Sequence, residues 1–269
     1  MSQVHQLRLV SYLAPNMFWF YQAVGAYLGR VFEVETQITQ SQYDPLVDPV
    51  LLEDQVDVAF ICGLPFIRYC QRVPAQLKVL VAPVMQASRY QNSPVYFSDI
   101  IVQASSDIKT FDDLAGKTFC YNDLGSNSGY NLMRQKLIQS GYLPSFFSNV
   151  IASGSHQRSI RWVVEGLADC SAIDSTVLEQ ELQDYPELHQ LQVLESVGPC
   201  SMPPVVVSQR LGTALINQMQ LALLQPDAEL QSVMNQARIQ GYRAMEAADY
   251  AAIEEMYELA IASGYEMLS

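Results

Sequence analysis

The sequence predicts an α/β protein of two doubly wound lobes, the second inserted into the first. Three observations carry this. Strand and helix patterns alternate with short connections through residues 7–85. The same rhythm restarts at residue 97, and the chain breaks pattern near 96–99 and 197–203, where it can cross between lobes. With 269 residues, 49% hydrophobic and 16% charged, it can also bury a substantial core. The expected lobes are residues 1–96 plus 200–269, and residues 97–199.

In the first lobe, "LRLVSYL" (7–13) reads as a strand that breaks at Ala14-Pro15-Asn16. "MFWFYQAVGAYLGRVF" (17–32) has helical length and pattern, with Asn16 as the expected N-cap. "EVETQITQ" (33–40) alternates like a strand, and "DPLVDPVLLEDQ" (44–55) suggests a helix with prolines near its first turn. "VDVAFIC" (56–62) is a continuous apolar run of the kind buried in a parallel sheet. A helix from "GLPFIRYCQRV" (63–73) and a strand from "LKVLVAPVM" (77–85) complete the series.

In the second lobe, strands are expected at 97–104, in 110–121 after a short helix and a turn at Gly116, and at 148–155, 170–175 and 191–199. Helices are expected at 125–140, 156–169 and 176–188, and "CSMPPVVVSQRL" (200–211) leads into helical sequence to the end. No apolar run is long enough to span a bilayer.

The formal net charge of −13, with 15 scattered basic residues, argues against nucleic acid, whose phosphates need clustered Lys and Arg. No secretory leader pattern opens the chain, so the sequence as written reads as cytosolic unless a leader has been removed. The cysteines (62, 70, 120, 170 and 200) lack metal spacing and read as free thiols. The histidines (5, 156 and 189) are dispersed, and no phosphate-loop, nucleophile-elbow or metal-binding motif is present. No cofactor, metal or catalytic residue is therefore expected.

In open α/β sheets, ligands bind beyond the carboxyl ends of strands, beside helix N-termini. Free N–H groups and the positive end of the helix dipole attract an anion there. Three such places stand out, one of them Asn16 and its neighbours after the first strand. "CYNDLGSNSGYNLMRQKL" (120–137) puts Gly125, Ser126, Asn127, Ser128 and Gly129 before a helix, and "SGSH" (153–156) puts Ser155 and His156 at the front of the next. A serine before a helix is by default a cap. Two hydroxyl-rich helix starts in one lobe raise anion binding above that default. Tyr12, Tyr43 and Tyr96 lie at element ends, as pocket walls or as ordinary packing.

Four stretches together resemble the phosphate/phosphonate-type substrate-binding proteins of ABC importers. They are "QSQYDPLVDPVLLEDQVDVAFICGLPFI" (40–67), "FDDLAGKTFCYNDLGSNSGY" (111–130), "SGSHQRSIRWVVEGLADCSAIDSTVLE" (153–179) and "GPCSMPPVVVSQRL" (198–211). The resemblance implies a type II periplasmic-binding-protein fold, two lobes on a two-strand hinge that close on a small anionic ligand such as a phosphonate or phosphate. It implies that Ser126, Asn127, Ser128, Ser155 and His156 hold the oxyanion, that Tyr43 and Tyr96 line the pocket, and that Asp174 meets the rest of the ligand. Asn127 stands where the family has Thr, and Cys200 and Ser201 stand where acidic or polar ligand contacts are expected. It also implies a periplasmic or cell-envelope monomer that is not membrane-spanning and delivers its ligand to an ABC permease. Two rivals are a cytosolic ligand sensor and a pyrimidine-precursor synthase on the same fold. The unclustered cysteines count against the synthase.

Overall fold

The computed structural model describes residues 6–269, so His5 lies outside the described residues. In chain order the elements are β1 (Gln6–Ser11), α1 (Phe18–Phe32), β2 (Glu35–Gln40), α2 (Pro49–Leu52), β3 (Val58–Phe60), α3 (Gly63–Arg72) and β4 (Leu77–Met85). Next come β5 (Val95–Gln103), β6 (Thr118–Tyr121), α4 (Leu132–Ser140), β7 (Asn149–Ala152), α5 (His156–Val164), β8 (Cys170–Asp174), α6 (Ser175–Asp184) and β9 (Leu191–Ser201). Last are β10 (Val205–Ser208), α7 (Thr213–Leu224), α8 (Ala228–Gln236), β11 (Ile239–Ala244) and α9 (Ala251–Ala262).

Two units form. The first holds the chain to Val95 together with Ser201–Ala251, and the second holds Tyr96–Cys200 with Ala252–Ser269. The first unit's sheet runs β11-β4-β10-β3-β1-β2. β1 pairs in parallel with β2 and β3, whereas β10 returns antiparallel between β3 and β4. The central strands β3 and β10 are buried along their whole length and apolar but for Ser208, as expected where helices cover a sheet on each side.

The second unit's sheet runs β7-β6-β8-β5-β9, with β6 parallel to β7 and β8, and β5 antiparallel to β8. Its core gathers Ile100, Phe111, Phe119, Tyr130, Met133, Phe147 and Leu268, among others. Phe119 stacks on Phe147 with ring centroids 4.9 Å apart.

Several expectations change. Residues 252–269 belong to the second unit, not the first, because Leu268 is buried in its core and Tyr130 accepts the Leu268 N–H at 2.8 Å. The chain therefore passes between units at 95/96, 200/201 and 251/252. Within the stretch expected to be helical, "IQGYRA" forms β11, whose backbone pairs antiparallel with β4. Asn16 lies inside a 3-10 turn (Pro15–Met17) that feeds α1, and no side-chain cap holds that helix start. The helix expected over 44–55 shrinks to α2, with Asp48 as N-cap and Pro49 in its first turn. α5 stops at Val164, two residues before Gly166, whose φ of +71° a helix cannot accommodate.

Candidate functional site

After β6 the chain turns at Ser126, whose Oγ accepts the N–H of Gly129 at 3.0 Å. Residues Asn127–Asn131 then form a π-helical turn before α4. Such wide turns recur at functional sites, because the looser ring exposes backbone groups and re-aims side chains. Gly129 sits in a tight space. A Cβ there would lie 1.8 Å from Asn122 Oδ1 and 3.1 Å from Ser126 Oγ. Ser98 on β5 donates to the Ser128 carbonyl at 2.7 Å, so this oxygen is tied back to the sheet.

The second helix start is built by Ser153, Gly154 and Ser155. Gly154 has φ +91°, a conformation that favours glycine. Ser155 caps α5 by accepting the Arg158 N–H at 3.2 Å, and Arg158 Nη1 donates to the Ser153 carbonyl at 3.0 Å. His156 follows as the first residue of α5 and is 7% exposed.

The two starts meet. Ser128 Oγ lies 3.1 Å from His156 Nε2 and 3.5 Å from Ser126 Oγ. Burial pushes His156 down to about 4, so the ring is neutral at pH 7. Its Nδ1 is buried and has no hydrogen-bond partner among the described residues. Asn127 is buried behind the loop and donates through Nδ2 to the Tyr96 hydroxyl at 2.7 Å.

Asp174, at the end of β8, is paired across the sheet with Ser98 and caps α6. Its Oδ1 accepts the Thr176 N–H at 2.9 Å and the Thr176 hydroxyl at 2.7 Å. Burial pushes its carboxyl up to about 6, with those hydrogen bonds opposing the shift and the Asp99 carboxylate adding to it. Burial likewise pushes the Cys200 thiol up to about 11, with the neighbouring Asn127 amide pulling the other way.

Ser126, Ser128 and His156 thus join one hydrogen-bonded group in the second unit, and Asn127 and Tyr96 pair in another. The Ser155 hydroxyl oxygen accepts a backbone N–H of its own helix. Tyr12 and Tyr43 belong to the first unit. The Tyr12 hydroxyl donates to Asp48 Oδ2 at 2.9 Å, and burial together with that carboxylate raises its pKa. Tyr43 is 64% exposed. Sequence reasoning missed Ser98, Asn131 and Arg134. Asn131 and Arg134 were traceable, since positions 127, 131 and 134 follow helical spacing.

All five cysteines are free thiols, and among the described residues no His, Cys, Asp or Glu cluster could hold a metal ion. No described helix is long and apolar enough to cross a membrane.

Two mixed α/β units of this topology have the type II periplasmic-binding-protein fold. A family model described as the phosphonate periplasmic substrate-binding protein of ABC transporters matches residues 10–250, and the chain belongs to that family. Its members are the substrate-binding components of such transporters.

Solved structures agree on the fold. PhnD1 from Prochlorococcus marinus (MIT 9301), in complex with methylphosphonate, superposes with a TM-score of 0.82 at 16% identity, covering 97% of this chain and 99% of that one. A binding-protein component of an ABC phosphonate transporter from Pseudomonas aeruginosa gives 0.83 at 15% identity, covering 96% and 87%. The alkanesulfonate-binding protein SsuA from Xanthomonas axonopodis pv. citri, bound to MOPS, gives 0.67 at 18% identity, covering 100% and 97%. No curated protein matches the sequence.

Proposed function

We propose that this chain captures a small phosphonate or a closely similar oxyanion for an ABC permease, and that Ser126, Asn127, Ser128, Ser155 and His156 form the anion-binding face. The observation that carries this reading is the contact between Ser128 and His156, which gathers two helix starts around one group of neutral donors. An oxyanion exchanges its water for aligned O–H and N–H dipoles that need little rearrangement. Attraction is local, because the chain as a whole carries −13.

Tyr96 adds a hydroxyl beside Asn127, and Asp174 serves the non-anionic part of the ligand. The protein works as a monomeric carrier in the periplasm or cell envelope rather than as an enzyme. Membership of a transport family supports this.

Titration calorimetry and thermal melts with methylphosphonate, phosphate and methanesulfonate test the reading. A phosphonate at a hundredfold excess over Kd should add about 2.7 kcal/mol of stability. Ser128→Ala should remove most of that gain. A wild-type chain blind to all three anions, or a gain untouched by Ser128→Ala, would end the proposal.

A further inference from the structure

The end of the chain is fastened to the π-helical turn Asn127–Asn131 that carries Ser128. α9 stops at Ala262, and Gly264, with φ +81°, lets the chain reverse. The tail then bonds the turn and the start of α4. The Tyr130 hydroxyl accepts the Leu268 N–H at 2.8 Å, and Arg134 Nη1 donates to the carbonyls of Tyr265 and Glu266 at 3.4 and 3.3 Å. Leu268 is buried, and the Ser269 N–H bonds the Pro144 carbonyl at 3.1 Å.

These holds pass directly to the turn. Tyr130 belongs to it, with its ring 4.7 Å from that of Tyr121 and the Arg134 guanidinium 5.2 Å over its face. Arg134 Nη2 donates to Asn131 Oδ1 at 2.7 Å. Asn131 in turn donates its backbone N–H to the Ser126 carbonyl at 3.1 Å and its side-chain Nδ2 to Asn127 Oδ1 at 2.9 Å. A π turn is a rare conformation, so bonds from outside it matter to its persistence. Relaxation to an ordinary α-helix would rotate the residues before α4 by about 100°, the step of one residue. Ser128 would then leave its place 3.1 Å from His156 Nε2.

We propose that Tyr130 and Arg134 are positioning residues through which the C-terminal tail clasps the π turn, so that seating of the tail and binding of an oxyanion at Ser126 and Ser128 are coupled. The ligand and its place rest on the function proposed above, whereas the clasp on the turn does not. A tail that lifts off frees the turn and lowers affinity. By the same linkage, a bound oxyanion holds the tail down.

Amide hydrogen exchange of the whole chain, followed by NMR, reads this coupling from the tail. The Ala104 N–H, which bonds the Gln190 carbonyl outside the clasp, is the reference. Saturating methylphosphonate should slow exchange at Leu268 about tenfold more than at Ala104, the scale of one hydrogen bond. Equal slowing of both amides is what a merely structural tail would give, and it overturns the coupling.

Tyr130→Phe keeps the ring and removes the acceptor of the Leu268 N–H. In calorimetry it should weaken methylphosphonate binding about tenfold, but less than about twofold in a chain lacking residues 265–269. Equal losses in the two backgrounds would also overturn the proposal. If the shortened chain does not fold, the exchange ratio in the wild-type chain decides. Should the wild-type chain bind no methylphosphonate, the proposed ligand fails, and the clasp is read without it. Tyr130→Phe should then speed exchange of the Asn131 N–H about tenfold relative to Ala104. An unchanged ratio would refute the clasp itself.

Discussion

Ser128 Oγ lies 3.1 Å from Nε2 of His156, a contact that joins helix starts 28 residues apart in the chain. The ring is neutral and buried, so it acts as an orienting partner, not as a cation facing an anion. If Nε2–H donates to Ser128, the serine proton is left to serve another acceptor, and Nδ1 keeps an unshared lone pair in an apolar setting.

His156→Leu should fold, since it removes a buried nitrogen that has no partner among the described residues. Methylphosphonate affinity should fall about tenfold by calorimetry, the scale of one lost charge-assisted hydrogen bond. His156→Gln, which can place an amide N–H near the same spot, should recover most of the loss. Equal affinity for Leu and Gln would remove His156 from the site.

Two buried groups oppose each other in acid. His156 titrates near 4 when folded against 6.5 unfolded, so the unfolded chain binds more protons between those values. Stability from this group therefore falls as pH drops from 6.5 to 4, by about 3 kcal/mol in all. Asp174 titrates near 6 folded against 3.8 unfolded, so the folded chain binds more protons there. Its contribution falls as pH rises from 3.8 to 6, by a similar amount of about 3 kcal/mol. Between pH 4 and 6 the two slopes largely offset. Asp174→Asn should show stability dropping on acidification through that window, and His156→Leu should show the reverse slope. Urea unfolding at half-unit pH steps measures both, and parallel profiles for the two variants would refute the assignment.

Gly129→Ala should destabilise the second unit by about 1–3 kcal/mol, because the new methyl meets Asn122 Oδ1 and crowds the Ser126 cap. The nearest obstacle is the end of a short side chain, so Asn122→Ala should recover most of the loss. Chemical denaturation of the double-mutant cycle reads the coupling. Additive losses would place the strain elsewhere.

Leu268→Ala should cost about 2–5 kcal/mol, the range for a buried leucine truncated in a packed core. The loss should appear in the transition that reports the second unit, followed for instance by the near-ultraviolet signal of its aromatic cluster. A change confined to the first unit would contradict the division of the chain.

Much was readable from pattern alone. β4 occupies the stretch 77–85 that its apolar run indicates, and the paired loops at 125–129 and 153–156 stand before helices as their glycines and hydroxyls suggest. β11 was not readable. "IQGYRA" has a glycine at its centre and no clean alternation, and it becomes a strand because its backbone groups pair with the edge of β4. The C-terminal helix was misplaced for a similar reason, since its apolar residues fit either unit and only packing shows which core receives Leu268. Asp174 was identified by resemblance, yet its carboxylate is already engaged with Thr176, a local detail that no spacing reveals.

By itself the sequence determined the α/β class, the order of most elements and the two donor-rich helix starts, because hydrophobic period, glycine and hydroxyl chemistry are local properties of the chain. Only the tertiary structure decided that Ser128 meets His156, that Arg134, Asn131, Asn127 and Tyr96 hydrogen-bond in series, and that the last helix serves the second unit. Those relations depend on which side chains the packing brings together, and burial then shifts the protonation of groups such as His156.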